Sequence, residues 1–140
     1  MTESTKVKII LIGCGPHAKR IYLPALQRLT NVELSLVIEL KEKKQDILEH
    51  KKQFKETEFW FIDAFEKTLP AHLFQKLSDY VRKHRIDGVI IATEPMVHVA
   101  YSLWALDNNL NILLDKPIST YRNVTTSLES ANSIFTDYLD

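Results

Sequence analysis

Apolar residues along the chain form short continuous runs that alternate with segments in which they recur at helical spacing. The run at Val7–Ile12 is apolar nearly throughout, which is typical of a strand buried on both faces. Similar runs predict strands at Glu33–Ile38, Glu58–Ile62, Asp87–Thr93 and Asn111–Leu114. The segments between them favour helices, so the pattern is a strand followed by a helix, repeated along the chain.

The segments between the strands carry residue patterns that predict helices, and these patterns differ in how apolar or charged they are. Their apolar or charged patterns predict helices at Ala18–Leu29, Lys41–Glu56 and Leu73–His84, a further one that starts near Val97 and stops near Asn108-Asn109, and a last one at Val124–Tyr138. Pro24 lies inside the first and is expected to kink it or to restart it at a first-turn position. The second carries both signs of charge and is expected to be solvated. Ser119 or Thr120 is the predicted N-cap of the last.

This alternation predicts an α/β fold, in which a doubly wound parallel sheet lies between two layers of helices. The expected strand order is 3-2-1-4-5, with the switch point between the first and fourth strands. Ligands of such sheets bind at the carboxyl ends of the strands beside that switch. In this chain those ends are Gly13–His17, Glu39, Thr93–His98 and Asp115–Pro117, where the unusual residues collect.

Length and composition narrow the class of protein. The 140 residues are expected to form one domain, residues 1–140. Lys+Arg and Asp+Glu both number 18, which argues against nucleic acid or an anionic membrane as a partner. A single cysteine excludes an internal disulfide, and no spacing suggests a metal site. Without a signal peptide or a long apolar run, the expected location is the cytoplasm.

The turn after the first strand matches the phosphate-binding pattern G-x-G-x-x-G/A of a Rossmann-type fold, with Gly13, Cys14, Gly15, Pro16, His17 and Ala18. Gly13 permits the tight turn, Gly15 lets the backbone approach a pyrophosphate, and Ala18 lets the helix pack on the strand. The helix N-terminus offers N–H groups to the phosphates. The alternative is a strand–helix turn in which glycine serves geometry alone.

Two residues near this turn have competing interpretations. Glu39 lies where an acidic side chain binds an adenosine ribose, which favours NAD over NADP. The alternatives are a solvated acid, or a nearby lysine that neutralises a 2′-phosphate. Cys14 is favoured as a small apolar filler, with His17 lining the phosphate or nicotinamide side. A nucleophilic Cys14 would need an activating base, and His17 is close in sequence.

The ends of the fourth and fifth strands carry further candidates. Thr93-Glu94-Pro95 is a turn in which proline leaves backbone groups free for a ligand, and His98 follows at a helix start. A cap or structural role is the alternative for His98. Asp115-Lys116-Pro117 places a lysine beside a carboxylate, where it can bind hydroxyls or transfer protons. A salt-bridged surface lysine is the alternative.

Together these segments resemble the N-terminal domain of the Gfo/Idh/MocA oxidoreductases, the glucose-fructose oxidoreductase and inositol dehydrogenase family. The resemblance rests on Ile12–Ala18, Leu23–Leu26, Ile90–His98 and Leu114–Ser119, which occur in the family's order and spacing. Two departures are visible. The family usually has Glu-Lys-Pro at 115–117, and it often has a second proline at the position of Glu94.

The resemblance implies hydride transfer between NAD(P) and a hydroxyl-bearing carbon of a sugar, cyclitol or related polyol. It implies that the glycine turn and Glu39 hold the adenosine half, and that Thr93, Pro95 and His98 line the route to the nicotinamide. It further implies that Lys116 is catalytic and contacts the nicotinamide ribose and the substrate hydroxyl. Family members also carry a C-terminal domain that supplies substrate contacts and the oligomer interface. We therefore expect a fragment of a longer homo-oligomeric enzyme, itself inactive and weakly dinucleotide-binding.

Two other functions remain open at this level. One is a non-catalytic dinucleotide-binding sensor or regulatory module with the same fold. The other is a methyltransferase that uses the glycine turn for its adenosyl cofactor, although Asp115-Lys116-Pro117 has no role there. Fold alone does not decide between such functions.

Overall fold

The computed structural model describes residues 5–120, 125–137 and 139. Its strands are β1 (Val7–Ile12), β2 (Val32–Leu40), β3 (Glu58–Ile62), β4 (Gly88–Ile91) and β5 (Asn111–Leu114). Its α-helices are α1 (Leu23–Arg28), α2 (Lys44–Gln53), α3 (Ala71–His84), α4 (His98–Asp107) and α5 (Leu128–Asp137). The described strands and helices alternate as the apolar pattern predicts.

The strands form one parallel sheet in the order β3-β2-β1-β4-β5, so the predicted topology is confirmed. Two apolar cores cover its faces. On one side, Ile10 and Ile12 of β1 pack with α3 and α4; on the other, Ile9 and Leu11 pack towards α1 and α2. Because β1 is covered on both faces, its sequence is apolar without alternation.

The strand register brings three strand ends to one level. Ile12 pairs with Ile38 of β2 and with Ile91 of β4, and the main chain continues these ladders by one step. Gly13 N donates to Ile38 O at 2.8 Å, and Ala92 N donates to Ile12 O at 2.8 Å. The segments that follow β1, β2 and β4 therefore leave the sheet side by side.

The first helix is interrupted where the sequence places a proline. Residues 16–28 are helical without a break, but Ala18–Tyr22 form a π-helical turn in which Leu23 N donates to Ala18 O. Pro24 has no N–H, and its ring crowds the carbonyl of the residue four positions earlier. The helix accommodates Pro24 with a wider turn ahead of it, where a kink or a restart was predicted.

Several element boundaries differ from the prediction. The strand predicted at Glu33–Ile38 extends to Leu40, so Glu39 lies within β2, while β4 is shorter than the run at Asp87–Thr93. The charged segment begins with a 3₁₀ turn, Lys41–Lys43, and its α-helix starts only at Lys44. These shifts are small because packing, which the pattern does not encode, decides where hydrogen-bonded ends stop.

The prediction for the start of the last helix is wrong. The helix α5 begins at Leu128, and Ser127 Oγ accepts from Ser130 N at 3.2 Å, which makes Ser127 the capping residue. Ser119 is buried and its hydroxyl donates instead to the Asp137 carboxylate. Val124 and Tyr138, which were predicted to belong to this helix, lie outside the described residues. Among the residues described, no helix is long and apolar enough to cross a membrane.

Candidate functional site

A cleft of about 300 Å³ opens at the carboxyl ends of the strands. It lies beside the ends of β1 and β4, whose following helices pack on opposite faces of the sheet, which is the position that the strand order predicts for a ligand. Nine of the predicted site residues line it: Gly13, Gly15, Pro16, His17, Ala18, Glu39, Thr93, Glu94 and Asp115. The structure therefore brings residues from four separate strand ends to one cavity.

The glycine turn forms one wall of the cleft, and its two glycines meet different surroundings. Gly13 has φ +88°, and a Cβ there would stand 2.6 Å from Ala92 O, so no other residue fits without a shift. A Cβ on Gly15 would meet no atom within 4 Å. Gly15 is thus not required by packing, and its bare backbone leaves open space on the cleft side.

The helix that follows the turn presents the start of its hydrogen-bond ladder to the cleft. The first hydrogen bond between residues four apart in this helix runs from Lys19 N to Gly15 O at 3.0 Å. The N–H groups of His17 and Ala18 precede it, and such first-turn groups have no partner within a helix. Both residues line the cleft, so the donors suit a phosphate.

Glu39 is buried at the floor of the cleft, with 6% of its surface exposed. Its Oε2 accepts from Cys14 N at 2.7 Å, and its Oε1 accepts from Leu40 N at 2.7 Å. These contacts fix the carboxylate against the glycine turn. Each oxygen keeps a further lone pair, so the group retains capacity for hydroxyl donors. The solvated strand-end acid is therefore the wrong interpretation of Glu39.

Cys14 turns its side chain away from the cleft into the core between β1 and α1, where it is 1% exposed. Burial, followed by the Glu39 charge, raises the pKa of its thiol to about 11, while the Lys19 charge acts in the opposite direction. The thiol therefore stays protonated near neutral pH, which fits an apolar filler and not a nucleophile. Its contribution to the site is the backbone N–H that Glu39 accepts.

His98 is fully buried beneath the cleft and does not line it. Its Nδ1 lies 2.6 Å from Pro117 O, and its Nε2 lies 3.1 Å from Thr93 O. Both partners are carbonyls that only accept, so a neutral ring donates to one of them and a doubly protonated ring to both. These contacts favour the structural interpretation of His98, because its ring ties the segment after β4 to the segment after β5.

The segment after β5 is held by a second long-range contact. The Tyr22 hydroxyl donates to the Asp115 carboxylate, and the Tyr22 ring stacks edge-on with His17 at 5.5 Å between centroids. Burial, followed by the Asp115 hydrogen bond and charge, raises the pKa of Tyr22 to about 12. Tyr22 was predicted only as an apolar face residue of the first helix.

The remaining predicted residues lie at the rim. Lys116 and Pro117 are exposed and stand outside the described lining, and the peptide between them is cis. Pro95 opens a 3₁₀ turn, Pro95–Val97, whose start is capped by the Glu94 carboxylate accepting from Met96 N at 3.2 Å. Glu94 therefore both caps this turn and faces the cleft.

Sequence reasoning missed part of the lining. The additional residues include Leu40, Lys43, Ala64, Phe65 and Tyr101. Phe65 packs edge-on against Tyr101 with centroids 5.4 Å apart, and these rings form an apolar wall near Glu39. The rule used for the other strand ends, applied to the end of β3, would have drawn attention to Ala64 and Phe65. Among the described residues, no group of His, Cys, Asp or Glu could hold a metal ion.

The chain resembles one known protein family and a set of solved structures. The family model described as "Oxidoreductase family, NAD-binding Rossmann fold" (GFO_IDH_MocA) matches residues 7–136. No curated protein sequence matches the chain.

Solved structures with a similar fold include three enzymes. A 3-ketoreductase from Actinomadura kijaniata, in complex with NADP and TDP-benzene, is 19% identical with a TM-score of 0.59, over 95% of this chain and 34% of that one. The scyllo-inositol dehydrogenase from Lactobacillus casei, with NAD(H) and scyllo-inositol, is 20% identical with a TM-score of 0.60, over 96% and 34%. The myo-inositol 2-dehydrogenase from Lactobacillus plantarum is 17% identical with a TM-score of 0.62, over 95% and 34%. The chain thus spans about a third of the length of these structures.

Proposed function

This chain belongs to the Gfo/Idh/MocA oxidoreductase family, and from that premise we propose that it is the cofactor domain of an enzyme that moves hydride between NAD(P) and a hydroxyl-bearing carbon. The family match covers residues 7–136 and concerns an NAD-binding Rossmann domain. When bound, the nicotinamide supplies the hydride acceptor or donor. The chain's own residues bind and orient it.

The observation that carries the proposal is the open backbone of the glycine turn facing the cleft. The absence of any atom within 4 Å of a Cβ on Gly15 leaves room for a phosphate beside the main chain. The N–H groups of His17 and Ala18 supply donors there, and Pro16 starts the helix that aims them. Gly13 and Ala18 bring strand and helix close enough to form this cradle.

The adenosine half is proposed to lie on the β2 side. Two backbone N–H groups hold the Glu39 carboxylate in place. Its oxygens keep further lone pairs, which suits the carboxylate to accept hydrogen bonds from ribose hydroxyls. The wall of Phe65 and Tyr101 suits a planar base. A fixed carboxylate repels a 2′-phosphate, so NAD is favoured, while Lys43 is the group that would receive that phosphate from NADP.

The nicotinamide half is proposed to lie on the side of β4 and β5. Thr93, Glu94 and Pro95 form the turn beside it, and Asp115 lines the cleft opposite. Lys116 follows Asp115 and is proposed as the catalytic residue, contacting the nicotinamide ribose and the substrate hydroxyl. We assign His98 to the layer below, where it holds Thr93 and Pro117 in place.

The substrate is proposed to be a sugar, cyclitol or related polyol. Support comes from the two inositol dehydrogenases that share the fold at 17–20% identity, one of them with scyllo-inositol bound. Because these structures are about three times as long as the chain, we propose that substrate contacts and a homo-oligomer interface belong to a second domain. We also propose a cytoplasmic location and no catalysis by residues 1–140 alone.

Titration of the chain with NADH and NADPH, followed by fluorescence and calorimetry, tests the proposal. We expect both reduced cofactors to bind, NADH more tightly. Gly15→Ala is the matched variant: its methyl group meets no protein atom, so the unfolding midpoint should stay unchanged while affinity falls at least about tenfold. Binding of S-adenosylmethionine without either dinucleotide would overturn the proposal, and a clear NADPH preference would overturn the role given to Glu39.

A further inference from the structure

Charged side chains are distributed unevenly around the cleft. On the side of β4 and β5, the lining contains the carboxylates of Glu94 and Asp115. On the β2 side it contains Glu39 together with Lys43, which is the only lysine or arginine in the described lining. The two ends of the cleft therefore present different electrostatic environments to whatever spans it.

Both carboxylates at the β4 and β5 end accept a hydrogen bond from a neighbouring group. Asp115 accepts from the Tyr22 hydroxyl, and the raised pKa of that phenol, about 12, keeps the donor proton on Tyr22. Glu94 accepts from Met96 N at 3.2 Å, as the cap of a 3₁₀ turn. Each carboxylate therefore has one hydrogen-bond donor that holds it at this end of the cleft.

Nearby positive charges reduce this negative field without cancelling it. Lys43 lies beyond Leu40, at the other end of the cleft. Lys116 is next to Asp115 in the sequence, and its side chain is exposed. If that side chain turns inward, its positive charge offsets one of the two carboxylates, and this end of the cleft keeps a net charge of about −1. His17 lies at the glycine turn, where its ring contacts Tyr22 edge-on.

We infer that Glu94 and Asp115 are specificity determinants for the redox state of the cofactor, favouring the oxidised nicotinamide over the reduced one. The inference rests on the proposed function, which assigns this end of the cleft to the nicotinamide. The oxidised ring carries a positive charge and the reduced ring is neutral, while the phosphates and the adenosine are the same in both forms. The phosphate contribution therefore cancels in the ratio of the two affinities, and the ring charge remains.

Tyr22 acts as the positioning residue of this arrangement. Its hydroxyl holds Asp115 towards the cleft, and the π-helical turn Ala18–Tyr22 places that hydroxyl at the β5 end. Without it, Asp115 is free to turn to solvent, where its charge is screened.

The experiment measures dissociation constants for NAD⁺ and NADH in parallel by calorimetry, in the wild-type chain and in Asp115→Asn and Glu94→Gln. Each variant keeps the shape of the side chain and removes its charge. For a partly exposed pair of charges we expect the ratio of NAD⁺ affinity to NADH affinity to fall about three- to tenfold per variant. The wild-type ratio should also fall as salt is raised from low to high concentration.

Two variants serve as controls. Glu39→Gln removes a carboxylate from the opposite end of the same cleft and should weaken both redox forms by the same factor. Asp63→Asn removes an exposed carboxylate paired with Lys41 at 2.9 Å, outside the cleft lining, and should change neither affinity. Tyr22→Phe should lower the ratio in the same direction as Asp115→Asn, by a smaller factor.

The outcomes separate this inference from the proposed function. An unchanged ratio in both Asp115→Asn and Glu94→Gln, with dinucleotide still bound, overturns the inference and leaves the proposed function standing. Failure of NAD⁺, NADH, NADP⁺ and NADPH to bind the folded wild-type chain overturns both. If Asp115→Asn does not fold, as judged by its unfolding transition, Glu94→Gln decides alone, because Glu94 is exposed and its loss leaves only one backbone N–H to solvent.

Discussion

The turn after β1 and the turn after β5 face the same cleft but are held in place by different means. The first, residues 13–18, is fixed mainly by its own backbone and by the strands on either side of it, with one added contact from the Glu39 side chain. The second, Asp115–Pro117, continues the sheet through Asp115 N and Ile91 O, and beyond that it is fixed by side chains that come from other elements. Two walls of one site therefore differ in how far the residues of each turn determine its geometry.

At the first turn, main-chain geometry is decisive. Gly13 has φ +88°, its N–H donates to Ile38 O, and its Cα lies so close to Ala92 that a methyl group would overlap the carbonyl. These constraints depend on one residue type at one position. A glycine at the end of a buried strand is therefore a strong local signal.

At the second turn, the decisive groups lie far away along the chain. Tyr22 is 93 residues from Asp115, and His98 is 19 residues from Pro117. The sequence Asp-Lys-Pro by itself does not predict that Tyr22 or His98 contacts this turn. The turn takes its position because the fold brings the π-helical turn Ala18–Tyr22 and the start of α4 to the carboxyl end of β5.

Gly13→Ala should break the first turn and gives the largest expected effect. The new Cβ would stand 2.6 Å from Ala92 O, and φ +88° is strained for alanine. We expect a loss of about 3 kcal/mol or more in the free energy of unfolding, measured by urea denaturation. Gly15→Ala, the same change two residues later in open space, is the control; a loss of similar size there would contradict the argument.

His98→Ala should loosen the second turn. It removes both ring contacts, leaves the carbonyls of Thr93 and Pro117 without that partner, and opens a cavity where the buried ring stood. We expect about 3 kcal/mol of destabilisation in urea and a weaker affinity for NADH. His84→Ala, at the half-buried end of α3, should cost less than about 1 kcal/mol and leave NADH affinity unchanged. Equal losses of stability and of NADH affinity in the two variants would show that the His98 ring does not hold the second turn in place.

Tyr22→Phe should give the smallest change, about 1 kcal/mol, because it removes one hydrogen bond to Asp115 and keeps the ring. The pKa of Tyr22 is raised from its usual 10.0 to about 12 in the folded chain. A raised pKa means that the stabilisation is complete below pH 10 and is lost as pH rises towards about 12.

The measurement for this variant is the difference in unfolding free energy between wild type and Tyr22→Phe across that alkaline range. Burial also raises the pKa values of Tyr80 and Tyr101, but both chains share these groups, so the difference isolates Tyr22. A difference that stays constant from pH 8 to pH 12 would contradict the contact with Asp115.

Most of the fold is predictable from the sequence because it follows from periodicity. The apolar runs identify all five strands of the described sheet, and the rule for parallel crossovers gives their order. Pro24 correctly signals a disturbance in the first helix, yet the form that it takes, a π-helical turn, depends on how the helix packs on β1. The cap of α5 was missed because Ser119 is recruited into the interior by Asp137.

The site is predictable in part. Strand-end position correctly selects Gly13, Glu39, Thr93 and Asp115 as residues of one cleft, because the carboxyl ends of parallel strands share an edge. It does not show which side chains face inward. His98 has the expected position at the start of α4, but its ring turns below the cleft, where two carbonyls meet it.

The sequence by itself determined the strand–helix alternation, the sheet order, the glycine turn and the family. These features follow from residues close together in the sequence: the continuous apolar run of a buried strand, the spacing of apolar residues along a helix and the backbone freedom of glycine. Only the tertiary structure decided that Glu39 folds back onto the glycine turn, that Tyr22 reaches Asp115, and that His98 joins two loops. The reason is physical: such contacts depend on the register of strands and the rotation of helices, and packing between elements sets both.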